Sequence, residues 1–347
     1  MNAVVTVSLP ALISNYRRLA ARAAPAVAAA VVKADAYGLG MAQVAPTLYA
    51  AGCRVFYVAW PEEGNALRAL LPHNDCTIAV FYGLSLSNTA RFRALNLQPV
   101  ISTLDQLTLC QSARLTGRLQ LETGMHRSGL PPEQWQEAAS SGFKPALVFS
   151  HLAAADTPAH PLNRAQFDGL THARALWPEV PLGLAASSGV YANPDYHLDE
   201  VRLGAALYGA IEAPDLEQVV RVDAPILEVR TLQPGDAVGY GAQFIADKPM
   251  RVATLGYGYA DGYPRHLSGK GFVVINKQRC AMLGRVSMDL ITVDVTPLEN
   301  LPESAQIYGS GYTILDAARD AGTIGYEILT RLGKRSKWVY EPITEIQ

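Results

Sequence analysis

A lysine set at the end of an apolar run is the residue in this chain best placed to do covalent chemistry. The run Ala30-Val31-Val32-Lys33-Ala34-Asp35-Ala36-Tyr37-Gly38-Leu39-Gly40 opens as a short buried strand, Val27 to Val32, and closes at two glycines. A lysine delivered there is poorly hydrated. Desolvation disfavours the ammonium form and makes the amine a nucleophile towards carbonyl groups. Tyr37, four residues on, can bring a hydroxyl to whatever the lysine binds, and Gly38 and Gly40 let the backbone turn tightly. On the residues of this run alone, an ordinary lysine capping a core strand is the simpler reading.

Further polar groups recur where other apolar runs end. Glu122-Thr123-Gly124-Met125-His126-Arg127 follows Leu119–Glu122, and Ser150-His151 closes Ala146–His151. Ser187-Ser188-Gly189 follows Leu182–Ala186, and Arg202-Leu203-Gly204 closes Glu200–Leu203. Taken singly, each reads as a satisfied loop residue. Taken together, a lysine, two arginines, a histidine, serines and backbone-exposing glycines suit a flat, anionic, carbonyl-bearing ligand. No G-x-x-x-x-G-K-[ST] or G-x-G-x-x-G motif competes for that role.

The elements that would carry these groups alternate. Strand candidates are Val27–Val32, Val55–Trp60, Thr77–Tyr82, Gln98–Ser102, Leu119–Glu122, Ala146–His151, Leu182–Ala186 and Glu200–Leu203. Helix-like stretches lie between them, among them Met41–Ala51, Glu62–Leu71, Leu104–Ser112, Pro132–Ser140 and Pro161–Leu176. Repeated strand–helix units predict an α/β fold with a parallel sheet. Eight strands within the first two-thirds fit a TIM-type (β/α)8 barrel, whose strand C-termini carry function. A doubly wound open sheet is the alternative, since periodicity does not show closure. Beyond Val222 the texture becomes β-rich with Gly/Pro punctuation, interrupted by helices near Thr313–Ala321 and Ile324–Leu332. The expected division is therefore a barrel over 1–222, with the first few residues free to pack with the other part, and a mainly β domain over 223–347.

Composition excludes several classes. The 347 residues are 49% hydrophobic and 17% charged, which supports a sizeable core. A net charge of −2 with no Lys/Arg cluster leaves no footprint for nucleic acid. No apolar run approaches the ~20 residues of a membrane span. Cys53, Cys76, Cys110 and Cys280 are scattered, without C-x-x-C or metal-ligand spacing, so reduced thiols in a cytoplasmic protein and no metal are expected. The N-terminus has no basic region or cleavage signal.

These motifs, in this order, resemble the alanine racemase family of fold-type III pyridoxal-phosphate enzymes. Besides the Lys33 run, the resemblance rests on Glu122-Thr-Gly-Met-His-Arg127, Val201-Arg202-Leu-Gly-Ala-Ala-Leu-Tyr208-Gly and Gly239-Tyr240-Gly. It continues through Gly256-Tyr-Gly-Tyr259-Ala-Asp-Gly-Tyr-Pro-Arg265 and Gly284-Arg285-Val-Ser-Met288-Asp289. It implies pyridoxal 5'-phosphate as cofactor, interconversion of L- and D-alanine, and a homodimer whose sites join the barrel of one subunit to the β domain of the other. Lys33 would carry the cofactor and act as one base, with Tyr259 as the other on the opposite face of Cα. A tyrosine ordinarily ionises near ~10, so that role calls on neighbouring cations. Tyr37, Ser188 (or Ser187) and the backbone of Gly204 and Ala205 resemble the phosphate cradle. His151 resembles the residue against the cofactor ring, and Arg202 the partner of its pyridine nitrogen. Arg127 and the Met288 N–H resemble substrate-carboxylate donors, while Asp156 and Arg285 match residues of the access corridor.

One position departs from the family pattern. Many members place a carbamylated lysine seven residues before the arginine equivalent to Arg127, and here that residue is Gln120. A neutral amide offers an acceptor but no charge, so a CO₂-dependent modification is not expected. The alternatives are a broad-specificity or serine racemase of the same fold and, in a different class, a non-catalytic pyridoxal-phosphate carrier. A carrier needs no second base, which the Tyr259 segment offers.

Overall fold

Small side chains decide how the first part of the chain closes. In the computed structural model, which describes residues 2–72 and 75–343, the first barrel strand is Val27–Val31, an Ala-rich run with four of its five residues buried. It pairs in parallel with Val55–Val58 on one side and with Glu200–Leu203 on the other. Between these lie Thr77–Val80, Leu97–Ile101, Arg118–Gln120, Val148–Phe149 and Leu182–Ala186, each hydrogen-bonded to the next in sequence order. The eight strands form a closed barrel, not an open sheet. Inside it, Ala29 and Ala79 leave room for Tyr57 and Phe149, with Val31, Val100 and Leu147 filling the same cluster.

A charged layer shares that interior. Arg118 donates to both carboxylate oxygens of Glu200 at 2.7 and 2.8 Å, to the Tyr57 hydroxyl at 2.5 Å and to Gln98 Oε1 at 2.8 Å. Both charged groups are buried and each is met by several hydrogen bonds, the condition under which a buried ion pair is tolerated. Leu182–Ala186 and Glu200–Leu203 match their runs, while several others are shorter because the ladder stops where loop residues leave the sheet. The Ala146–His151 run keeps only two strand residues, Val148–Phe149.

The chain divides into two compact units, Ile13–Leu207 with the barrel, and Met1–Leu12 joined with Tyr208–Gln347. In the second unit an eight-stranded sheet contains the opening strand Val4–Ser8, which pairs antiparallel with Val220–Leu232 and parallel with Lys337–Glu341. Val220–Leu232 continues along Met250–Leu255, and Ser304–Tyr308 joins it through a stretch the sequence pattern did not mark as a strand. Helices Ile314–Ala321 and Gly325–Thr330 interrupt the sheet near the expected places. Among the described residues no helix is long and apolar enough to cross a membrane.

Candidate active site

In the barrel unit, the groups singled out by sequence stand at or just beyond strand C-termini. Lys33 follows the first strand, and its Nζ lies 5.7 Å from the centre of the Phe81 ring, beyond the third strand. Burial, then the charge of Arg127, lowers the pKa of its amine, while Glu63 opposes the shift. The backbone after it is unusual. Ala34, Asp35, Ala36 and Tyr37 all have left-handed φ, between 53° and 57°, followed by Gly38 and Gly40. For residues with a Cβ this costs about 1–2 kcal/mol each. Compensating bonds hold the turn: Gly38 N–H donates to Ala34 O at 2.8 Å, and Asp35 Oδ1 accepts from Met41 N–H at 2.7 Å.

The turn brings Tyr37 to Gly204. A Cβ at position 204 would sit 2.5 Å from the Tyr37 hydroxyl oxygen, so only glycine allows the approach. Gly204 N–H and Ala206 N–H both donate to Ser187 Oγ at 3.0 Å. Ser187 therefore braces this loop from within. Ser188, its half-buried neighbour, makes no such bond and stands beside the braced loop.

Arg202 is buried, with its guanidinium 4.5 Å from the centre of the Phe149 ring. Its Nη2 donates to Ser150 O at 2.5 Å and Leu184 O at 3.0 Å, while its Nη1, also buried, has no hydrogen-bond partner among the described residues. His151 is pushed down to about 3 by burial, then by Arg202, Arg127 and Lys33, so the ring is neutral at ordinary pH. Its loop is pinned by Gln166, which donates to His151 O at 2.8 Å and accepts from Ala153 N–H at 2.8 Å. Nothing in the local sequence distinguishes Gln166 from a surface helix residue. Its role appears only in the fold.

Arg127 is exposed in the 121–130 loop, with its charge felt at both Lys33 and His151. Gln120, buried in the fifth barrel strand, donates to Ser128 O at 3.0 Å and so braces the backbone beside Arg127 instead of its guanidinium. Asp156 is exposed in the loop after His151.

The remaining expected groups lie in the β-rich unit. Tyr259 and Met288, both exposed, are carried by interlocked loops: Tyr259 N–H donates to Ser287 O at 3.0 Å, and Ala260 N–H to Met288 O at 2.9 Å. A Cβ at Gly258 would collide with the Met288 carbonyl, so glycine is required there. Asp261 fixes the turn by accepting from Gly258 N–H at 2.8 Å and from Arg335 at 2.6 and 2.9 Å. Arg335 in turn reaches Asp289 at 2.7 Å, next to Met288. Arg285 packs against Gly241, where a Cβ would lie 3.2 Å from its guanidinium carbon. The Arg335 clamp is invisible in the sequence, because an arginine 74 residues from its partner leaves no local pattern.

Residues 7–212 match the family model for the alanine racemase N-terminal domain, and 219–340 match that for its C-terminal domain. The chain is 43% identical over 344 residues to the alanine racemase of Jannaschia sp., covering 97% of this chain and 98% of that one. A protein of Agrobacterium fabrum named alanine racemase, catabolic, is 41% identical, with 97% and 91% covered. Among solved structures, alanine racemase from Bartonella henselae with covalently bound pyridoxal phosphate superposes with a TM-score of 0.92 at 34% identity, covering 98% of this chain and all of that one. The biosynthetic alanine racemase of Pseudomonas aeruginosa gives 0.91 at 33% identity, covering 98% and 99%.

Proposed function

This chain belongs to the alanine racemase family, and on that premise we propose that it interconverts L- and D-alanine with pyridoxal 5'-phosphate. The observation that carries the reading is the buried guanidinium of Arg202 on the last barrel strand, whose charge is felt at His151. A guanidinium has five N–H donors, more than the two carbonyls bound by Nη2 use, and could donate to an aromatic ring nitrogen. Gly204, closely approached by the Tyr37 hydroxyl and followed by Ala205, with Ser188 next to the bracing Ser187, suits a phosphate. Lys33, with its amine biased towards the neutral form, suits covalent attachment. When bound, the cofactor supplies the electron sink that acidifies the hydrogen on the substrate's α-carbon.

The chain's own residues do the rest. Arg202 keeps its proton, so a cofactor ring nitrogen held by it would stay unprotonated. That restrains the electron sink and disfavours side reactions such as transamination. The neutral His151 would lie against the cofactor ring and add no charge there. Arg127 and the Met288 N–H hold the substrate carboxylate. The Lys33 amine takes or returns a proton at one face of the α-carbon, and the Tyr259 hydroxyl does so at the other. Tyr259, Met288 and the corridor residue Arg285 come, in this reading, from the β-rich unit of a second copy in a homodimer, with Asp156 on the barrel side. The four cysteines are buried and in no disulfide, which supports a reducing, cytoplasmic location.

Circular dichroism of L-alanine solutions mixed with the purified protein tests the activity. The signal is expected to decay to zero, and D-alanine to give the mirror curve. Borohydride reduction should then place a pyridoxyl group on the peptide containing Lys33. A steady L-alanine signal, decay only with L-serine, or a label on Lys334 or Lys337 would contradict the reading.

A further inference from the structure

Glu63 has no part in the roles assigned so far, yet its carboxylate touches the turn that carries Lys33. It sits one turn into the helix Pro61–Leu70, which follows the second barrel strand. Its Oε1 accepts from Ala34 N–H at 2.6 Å, at the first left-handed residue after Lys33. Its Oε2 accepts from Ala59 N–H at 2.7 Å and Trp60 N–H at 3.1 Å, where the second strand runs out. The backbones it joins are neighbours, since Val32 N–H donates to Tyr57 O at 2.9 Å. One carboxylate thus bridges two strand ends just where the ladder stops. A carboxylate has two acceptor oxygens and can serve both, whereas an amide has one.

We propose that Glu63 is the positioning residue of Lys33, clamping the left-handed turn to the neighbouring strand and setting a negative charge against the amine. The inference rests on the assignment of Lys33 as the cofactor-bearing lysine. The charges acting on this amine come from three elements. Arg127, on the loop after the fifth strand, disfavours the ammonium form, and Glu63 favours it. His151, after the sixth strand, feels the Lys33 charge but is itself neutral at ordinary pH. With Glu63 neutralised, burial and Arg127 act unopposed.

Two full-length variants separate charge from reach. Glu63→Gln removes the charge and one acceptor, whereas Glu63→Asp keeps the charge on a side chain one methylene too short for both strands. The pH dependence of Lys33 acylation in the cofactor-free chain, read by mass spectrometry, reports the amine. Amide hydrogen exchange at Ala34 in the cofactor-loaded protein reports the turn. Glu63→Gln is expected to move the acylation midpoint down by about 0.5 pH unit or more, and Glu63→Asp to leave it near the wild-type value. Both should speed Ala34 exchange by about tenfold or more. A midpoint unchanged in a folded Glu63→Gln protein, or Ala34 exchange unchanged in Glu63→Asp, would overturn the proposal. If Glu63→Gln does not fold, Glu63→Asp decides alone by exchange. Neither readout uses racemisation, so failure here leaves the activity untouched, and failure of the alanine assay leaves the clamp to stand on its own.

Discussion

Arg202 donates to the carbonyl oxygen of Ser150 at 2.5 Å, and this bond holds a buried guanidinium whose other terminal nitrogen has no hydrogen-bond partner among the described residues. A lysine would keep the positive charge but lacks the planar fork that serves two carbonyls and still leaves a donor spare. Arg202→Lys is therefore expected to melt lower, by about 1–3 kcal/mol for the abandoned carbonyls, and to bind pyridoxal phosphate about tenfold or more weakly. Thermal melts and fluorescence titration of the cofactor-free chain measure the two effects. Unchanged affinity would remove Arg202 from the cofactor's contacts.

His151 makes stability depend on pH in a definite direction. Its ordinary value is near 6.5, and the folded protein holds it down to about 3 through burial, then Arg202, Arg127 and Lys33. Between those values the unfolded chain binds the proton and the native chain does not. Stability should therefore fall as pH drops from about 6.5 towards 3, by about 1 kcal/mol per pH unit from this group, and be unaffected by it above that window. In the cofactor-free chain, His151→Phe should flatten the melting temperature against pH across the window. An unchanged slope would show that another group governs it.

Gly204 tests the phosphate cradle sterically. An added methyl group would fall 2.5 Å from the Tyr37 hydroxyl oxygen, forcing the ring away. Gly204→Ala is expected to fold, to lose about 1–3 kcal/mol of stability to overpacking, and to bind both pyridoxal phosphate and free inorganic phosphate about tenfold or more weakly. Equilibrium dialysis decides this, and wild-type affinity for both would place the phosphate elsewhere.

Much of this layout is legible in the sequence, and the exceptions have physical causes. Every barrel strand coincides with a predicted apolar run to within a few residues, because a strand buried on both faces is mostly apolar even where Arg118, Glu200 and Arg202 interrupt it. The helix Thr89–Ala94 leaves no mark in the sequence pattern, since it buries only Phe92 and shows no apolar stripe. Ser304–Tyr308 was missed because its five residues mix polar and apolar types. The left-handed turn could not be read from Ala34-Asp35-Ala36-Tyr37, which has ordinary helical composition. Tertiary contacts from Glu63 and a local one from Asp35 hold it. The strand ends that carry Lys33, His151 and Arg202 were legible, whereas Ser187, Gln166 and Arg335 act through partners distant in sequence.

Gln120 donates to Ser128 O and carries no amine to carbamylate. Racemisation by the wild-type protein is therefore expected to be indifferent to added bicarbonate and to its removal by degassing at acid pH. Gln120→Lys is expected to gain activity only with bicarbonate present. A response of the wild type to bicarbonate would mean that CO₂ acts at another group.

The most direct test of the two-base account uses Lys33→Ala and Tyr259→Phe proteins, each expected to be nearly inactive alone. The subunits are mixed in equal amounts and exchanged, with mixed dimers verified by mass spectrometry of differently tagged chains, and racemisation is then measured. If each site joins Lys33 of one subunit to Tyr259 of the other, half the dimers are mixed and each has one intact site, so activity should return to roughly a quarter of wild type. No recovery after verified exchange would contradict a site built from two subunits.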